Sequence, residues 1–203
     1  MTITTNLYSL QSSVWPAEGE HVLANYDADS IVVYQAYKPA IGDYAIRHGR
    51  LDGPEFSLAR MSWVKPNFLW MMYRSGWGTK PGQEITLGLR LRRSFFDELL
   101  TTAVPSSHAA AGDLAHADWQ AAVARSEVRL QWDPDHGPRG EKLVRRAIQI
   151  GLRGECLRRL SSAELLEVID MTQFVATQRA HVESGNLHRL ETPEERVYLP
   201  LKV

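Results

Sequence analysis

Cysteine is almost absent from this chain: Cys156 is the single one in 203 residues. One thiol closes no internal disulfide, so a reducing, cytoplasmic compartment is expected. Long apolar runs are missing as well. Nothing approaches the roughly 20 residues a spanning helix needs, and the first fifteen residues carry neither the basic stretch nor the apolar core of a secretory leader. No membrane partner is expected. His108 and His116 lack metal-ligand spacing to any cysteine or acid, so no metal centre is expected either. No glycine-rich phosphate loop follows the first apolar strand, which removes the Rossmann and P-loop readings at their own diagnostic residues. Net charge is small, 23 Lys and Arg against 24 Asp and Glu, and oligomeric state has no signal in the sequence.

What is present is enough apolar residue, 44% of the chain, to bury one substantial core, so residues 1–203 read as a single domain. Residues 1–25 are polar and mixed and read as a lead-in arm. The run Ile31–Tyr37 has the β-branched and aromatic content of a buried strand. Lys38-Pro39 then opens a helix that Gly49 closes. The same grammar returns: Lys38-Pro39, Arg47 and Gly49 are matched at identical spacing by Lys65-Pro66, Arg74 and Gly76. The second unit predicts a strand over Leu58–Val64 and a helix that starts at Pro66. Its consecutive large residues Phe68 to Tyr73 make that helix apolar all round and hence buried all round. Arg47 and Arg74 fall on the last helical turns, where a cation complements the helix dipole or meets a ligand.

Further on, Glu84–Leu91 alternates as a half-buried strand. Ser94 with Asp97 predicts the N-cap of a short helix ending near Leu100. Residues 104–124 read as a connecting segment with some helix around Trp119. Glu127–Trp132 and Lys142–Leu152 read as a hairpin with Asp133–Gly140 as its turn-rich loop. Ser161 and Glu164 predict the capping box of one long helix through Val182, and Val197, Leu199 and Leu201 a last strand, with Pro200 placing it at an edge. Hairpins mixed with helices predict an α+β fold: a mixed, mostly antiparallel sheet with flanking helices.

Cations concentrate late. Arg139, Lys142, Arg145, Arg146, Arg153, Arg158 and Arg159 face only Glu141 and Glu155, a stretch that would suit a pyrophosphate, a nucleic-acid backbone or simply solvent. Around the second strand, Arg60, Ser62 and Lys65 alternate with Met61 and Val64 and could present donors to a phosphate or ribose. Trp63, Trp70, Tyr73 and Trp77 are candidates for stacking on a base or for core packing. On the first strand, Tyr34 and Gln35 lie next to Tyr37 and face either the core or a cleft.

Four stretches together resemble a known family: VYQAYKPAIGDYAIRHG, ARMSWVKPNFLWMMYRSGWGTKPGQE, QWDPD and RRAIQIGLRG look like the signature blocks of domain-of-unknown-function family 4291, over roughly Tyr26 to Val182. The arrangement is also similar, remotely, to the ADP-ribosyltransferase fold, with Val33–Gly49, Met61–Tyr73 and Gln131–Asp133 in the places of its first strand and helix, its second strand and aromatic helix, and its late acid. This second resemblance implies NAD as co-substrate, a transferase activity, and nucleic acid or protein as the modified partner. It implies Asp133, Gln131 and Ser62 as catalytic, and Arg60, Lys65, Trp63, Tyr34, Gln35, Arg74 and Arg146 as NAD-binding. Arg145 and Arg146 stand where a Gln-x-Glu or Glu-x-Glu would precede the late strand, so Glu127 and Glu155 remain alternative acids. Cleaving the nicotinamide bond develops an oxocarbenium-like ribose, which calls for a carboxylate nearby, donors on the pyrophosphate and an aromatic wall. Two other classes stay open: a non-catalytic nucleic-acid-binding module using Arg139–Arg159, and a nucleotide- or metabolite-binding domain.

Overall fold

The computed structural model describes residues 3–201. The start of the chain is woven into the fold: β1 (Thr5–Leu7), the short helix α1 (Tyr8–Ser12) and β2 (Leu23–Tyr26) all pack. The lead-in arm is thereby corrected. Trp15 is buried and its indole N–H donates to the Glu195 carbonyl at 2.8 Å, which gives a large apolar ring both a pocket and a polar partner.

The two matched units follow. Strand β3 (Ser30–Tyr37) leads into α2 (Pro39–His48), with Pro39 in the first turn and Gly49 left-handed at φ 67°. Strand β4 (Ser62–Val64) leads into α3 (Phe68–Ser75), closed by Gly76 at φ 59°. Both glycines hold a backbone conformation that a Cβ disfavours. Two expectations are corrected in the second unit. The strand is confined to three residues because Leu58 and Ala59 lie in a turn, Arg60 in a bend, and Met61 pairs with no strand. The helix starts after Asn67, not at Pro66, because the Asn67 side chain accepts the Trp70 N–H at 2.7 Å.

The chain continues with β5 (Ile85–Arg92), α4 (Arg93–Thr102), β6 (Val104–Pro105), α5 (His116–Arg125), β7 (Val128–His136) and β8 (Lys142–Leu152). Ser94 lies inside α4 and caps nothing. The segment 104–124 holds a strand and much of a helix. Strand β7 runs straight through Asp133-Pro134-Asp135, so the hairpin loop is only residues 137–141. The missing Pro134 N–H is absorbed where the register with β8 shifts. In place of one long helix over 161–182 stand α6 (Gly154–Ser161), β9 (Leu165–Asp170) and α7 (Thr172–Glu183). Ser161 ends α6, and Glu164 binds Arg159 at 3.0 Å instead of capping a helix. Last come β10 (Glu191–Pro193) and β11 (Arg196–Val197), with Leu199 and Leu201 exposed beyond them.

The fold is α+β with mostly antiparallel sheets. One sheet runs β11-β2-β3-β5-β9, a second β4-β8-β7-β6, and β1 pairs with β10. Among the strand pairs of the described residues only β6 and β7 are parallel, and an isolated bridge between Glu20 and Arg146 is parallel too. The two larger sheets meet at a single bridge, where Tyr34 and Lys65 exchange both backbone hydrogen bonds at 2.7 and 3.2 Å. Beside this bridge β3 and β4 part, and the opening between them is the site.

Opposite faces of β3 feed two cores. Ile31 and Val33 pack with Leu89, Leu91 and Ile150, while Val32 and Tyr34 pack with Phe68, Met72, Trp77 and Val175. Each large apolar side chain so buried contributes about 1.5–3 kcal/mol, which makes α3 a fixed support. Among the described residues no helix is long and apolar enough to cross a membrane.

Candidate functional site

At the end of β3 the side chains of Gln35 and Tyr37 turn toward β4. Gln35 Nε2 donates to Ser62 Oγ at 2.7 Å and to the Trp63 carbonyl at 3.1 Å. The Tyr37 hydroxyl donates to Gln35 Oε1 and lies 3.3 Å from Ser62 Oγ. Burial pushes the Tyr37 pKa far up, so this hydroxyl keeps its proton. Ser62 thus has an oxygen already accepting from Gln35 and a proton left to donate.

These groups line a cavity of about 470 Å³, together with Trp63, Lys65, Arg60 and Arg74. Arg60 and Arg74 are exposed, whereas Lys65 is 6% exposed. Among the described residues the one hydrogen bond from Lys65 Nζ goes to the Trp63 carbonyl at 3.4 Å. Burial drives the Lys65 pKa down to about 8, the Arg74 cation adds to the shift, and the Asp133 carboxylate opposes it. Among the described residues none of Arg60, Lys65 and Arg74 forms an ion pair. Glu55 is the one carboxylate on the lining, and Lys38 holds it at 2.6 Å. The cavity is therefore cationic, with hydroxyl and amide donors and one indole.

Of the residues singled out in the sequence, six come together here: Gln35, Arg60, Ser62, Trp63, Lys65 and Arg74. Asp133 is not on the lining. It sits within β7, not in a turn, its two oxygens accepting from Gln131 Nε2 at 2.8 Å and Gln149 Nε2 at 2.7 Å. Its charge acts on the cavity through Lys65. Gln131 and Arg146 line a second cavity of about 530 Å³ with Trp132, Glu20 and Ser106. Tyr34 has no access to either; it is fully buried, beside Glu195 but with its hydroxyl outside hydrogen-bonding geometry.

The alternative acids and most of the late arginines have other work. Glu127 accepts the Glu155 and Cys156 N–H groups, each at 3.0 Å, which pulls its pKa down, and Glu155 pairs with Arg158 at 2.8 Å. Arg145 is buried against Asp135, Arg159 binds Glu98 and Glu164, and Arg153 donates to the carbonyls of Ser126, Val123 and Ala124. Trp70 stacks with Tyr73 and His136, and the Trp77 indole donates to the Pro138 carbonyl at 3.0 Å. Trp63 is the one tryptophan on the lining of the cationic cavity.

Tyr37, which sequence reasoning named only as a neighbour of Gln35, lies on the lining, and Gln149, which it passed over, lines neither cavity but holds Asp133. The signal for Gln149 was a polar residue between Ile148 and Ile150, which register places opposite Gln131. A model of a protein family matches residues 21–198, a span that includes every lining residue of both cavities except Glu20. The chain belongs to the family Domain of unknown function (DUF4291). Both units of the repeated strand–helix grammar fall within the family's domain. No curated protein matches the chain.

Proposed function

We propose that the cavity between β3, β4 and α3 binds a nucleotide through its diphosphate, with NAD as the co-substrate of an ADP-ribosyl transfer to nucleic acid or protein. The observation that carries the reading is the convergence of Arg60, Lys65 and Arg74 on one cavity with no carboxylate paired to any of them among the described residues. A buried cation without a counter-ion is unfavourable unless an anion arrives to satisfy it. Arginine forks and a lysine point charge suit phosphate oxygens. Ser62 and Gln35 offer a hydroxyl and an amide to ribose hydroxyls, and Trp63 offers a flat apolar face.

In the transfer, the bond from ribose C1 to the nicotinamide nitrogen breaks with its electron pair leaving on nicotinamide. The acceptor nucleophile then bonds to C1 and loses a proton. Two carboxylates are available for the developing positive charge, Glu55 on the lining and Asp133, off the lining but within electrostatic reach of Lys65. The nucleic-acid-binding alternative has less behind it, since Arg145, Arg153, Arg158 and Arg159 are committed within the protein.

The test is calorimetric titration at low salt with NAD, ADP-ribose and inorganic pyrophosphate, followed by nicotinamide release and label transfer from NAD to RNA, DNA and protein. All three ligands are expected to bind, with affinity for each falling about tenfold in Arg74→Gln, the equivalent of about 1.4 kcal/mol. Absence of binding by every ligand would overturn the nucleotide site. Binding without nicotinamide release or label transfer would leave a nucleotide-binding domain and remove the transferase.

A further inference from the structure

Lys65 differs from the two arginines of its cavity in what its terminal atom can do. Its backbone N–H and carbonyl are both bonded to Tyr34, its side chain is buried, and among the described residues its Nζ has a single hydrogen-bond partner, the Trp63 carbonyl. A carbonyl oxygen can only accept. A neutral amine donating one N–H there keeps its lone pair free, and Lys65 lies on the lining of the cavity.

We propose that Lys65 Nζ is a nucleophilic amine that forms an imine with a phosphorylated aldehyde held in this cavity. Arg60 and Arg74 recognise the phosphate, and Ser62 donates its proton to the carbonyl oxygen as the amine adds to the carbon. The carbinolamine then loses water, which carries off the carbonyl oxygen and the two amine hydrogens, with the Ser62 proton returned. No oxidant or reductant is needed. Asp133, whose charge already favours the Lys65 ammonium, favours a protonated imine in the same way. Lowering of the Lys65 pKa to about 8 supports the chemistry. Half of such amines are neutral near pH 8, against about one in 250 for an ordinary lysine. The inference rests on the anion-binding part of the reading above and does not need NAD.

The test uses pyridoxal 5′-phosphate as the phosphorylated aldehyde, added in equimolar amount to the full chain at pH 8, then borohydride reduction and peptide mapping by mass spectrometry. Reduction is expected to fix one label, on Lys65. Phosphate-free pyridoxal should label it at least about tenfold less, a preference of about 1.4 kcal/mol. Lys65→Arg, which keeps the cation but cannot form the imine, should lose the label. Label confined to the exposed Lys38, Lys80 and Lys142 with Lys65 unmodified would overturn the inference, and equal labelling of Lys65 by pyridoxal would overturn the phosphorylated class. Trapping in a protein that fails to bind NAD would sink the co-substrate and leave the imine standing; NAD binding without trapping would do the reverse.

Discussion

Lys65 and Arg145 are both buried, with 6% exposure of the Lys65 residue and 6% of the Arg145 side chain, yet their surroundings are opposite. Arg145 places Nε and Nη2 on Asp135 Oδ2 at 2.8 and 2.6 Å and Nη1 on the Pro16 carbonyl at 2.6 Å, with its guanidinium over the Trp15 ring. Every part of it is used, and it ties the start of the chain to the β7–β8 hairpin. Lys65 has one long bond to a carbonyl and no carboxylate in contact. A buried charge that is fully paired belongs to the architecture; one left unpaired at a cavity costs stability and is free to meet a ligand.

The largest test of this contrast is Asp135→Ala. It leaves the Arg145 charge buried and unpaired and should cost about 3–5 kcal/mol in urea unfolding. A cost below 1 kcal/mol would mean that Arg145 is not held as described.

Lys65→Met should behave the other way. The folded-state pKa of Lys65 lies below the ordinary lysine value, so the unfolded chain binds that proton more tightly than the folded protein does. The penalty is complete below about pH 8 and fades as pH rises toward about 10.4. The methionine variant should therefore match or exceed the wild type at pH 7, by up to about 3 kcal/mol, and lose that advantage by about pH 10.5. Its pyrophosphate binding should fall at pH 7, while wild-type affinity should decline above pH 8 as Lys65 loses its charge. A methionine variant as unstable as Asp135→Ala would erase the distinction between the two cations.

The smallest effect sharpens the comparison instead of breaking it. Asp133→Asn removes the one charge that favours the Lys65 ammonium. The pH midpoint of Lys65 labelling should move to lower pH, with no change in the Asp135–Arg145 pair. An unchanged midpoint would detach Asp133 from the site.

Much of the scaffold around the cavity was legible because its signals are local. Pro39 at a helix start, Gly49 and Gly76 at helix ends, and the burial expected over Phe68–Tyr73, which holds through Met72 and fails at Tyr73 with 39% exposure, each depend on the conformation or burial of neighbouring residues. The misreadings came where a distant partner outweighed a local preference. Ser161 and Glu164 look like a capping box, but Leu165–Asp170 pairs with β5 and Glu164 is drawn to Arg159. Asp133-Pro134 looks like a turn, but β8 extends alongside and holds it as strand. The late arginines look like one basic surface until their partners, Asp135, Glu98, Glu164 and backbone carbonyls, come from elsewhere in the chain.

By itself, the sequence determined the α+β class, the two Lys-Pro units and the polar cluster around Ser62, since these depend on periodicity, turn chemistry and residue type within short windows. Only the tertiary structure decided which polar residues share a cavity. Strand pairing brought Gln35 to Ser62, turned Tyr34 into the core and set Asp133 within electrostatic reach of Lys65. Whether a buried cation is paired or free depends on chain segments far apart in sequence, and no local pattern records it.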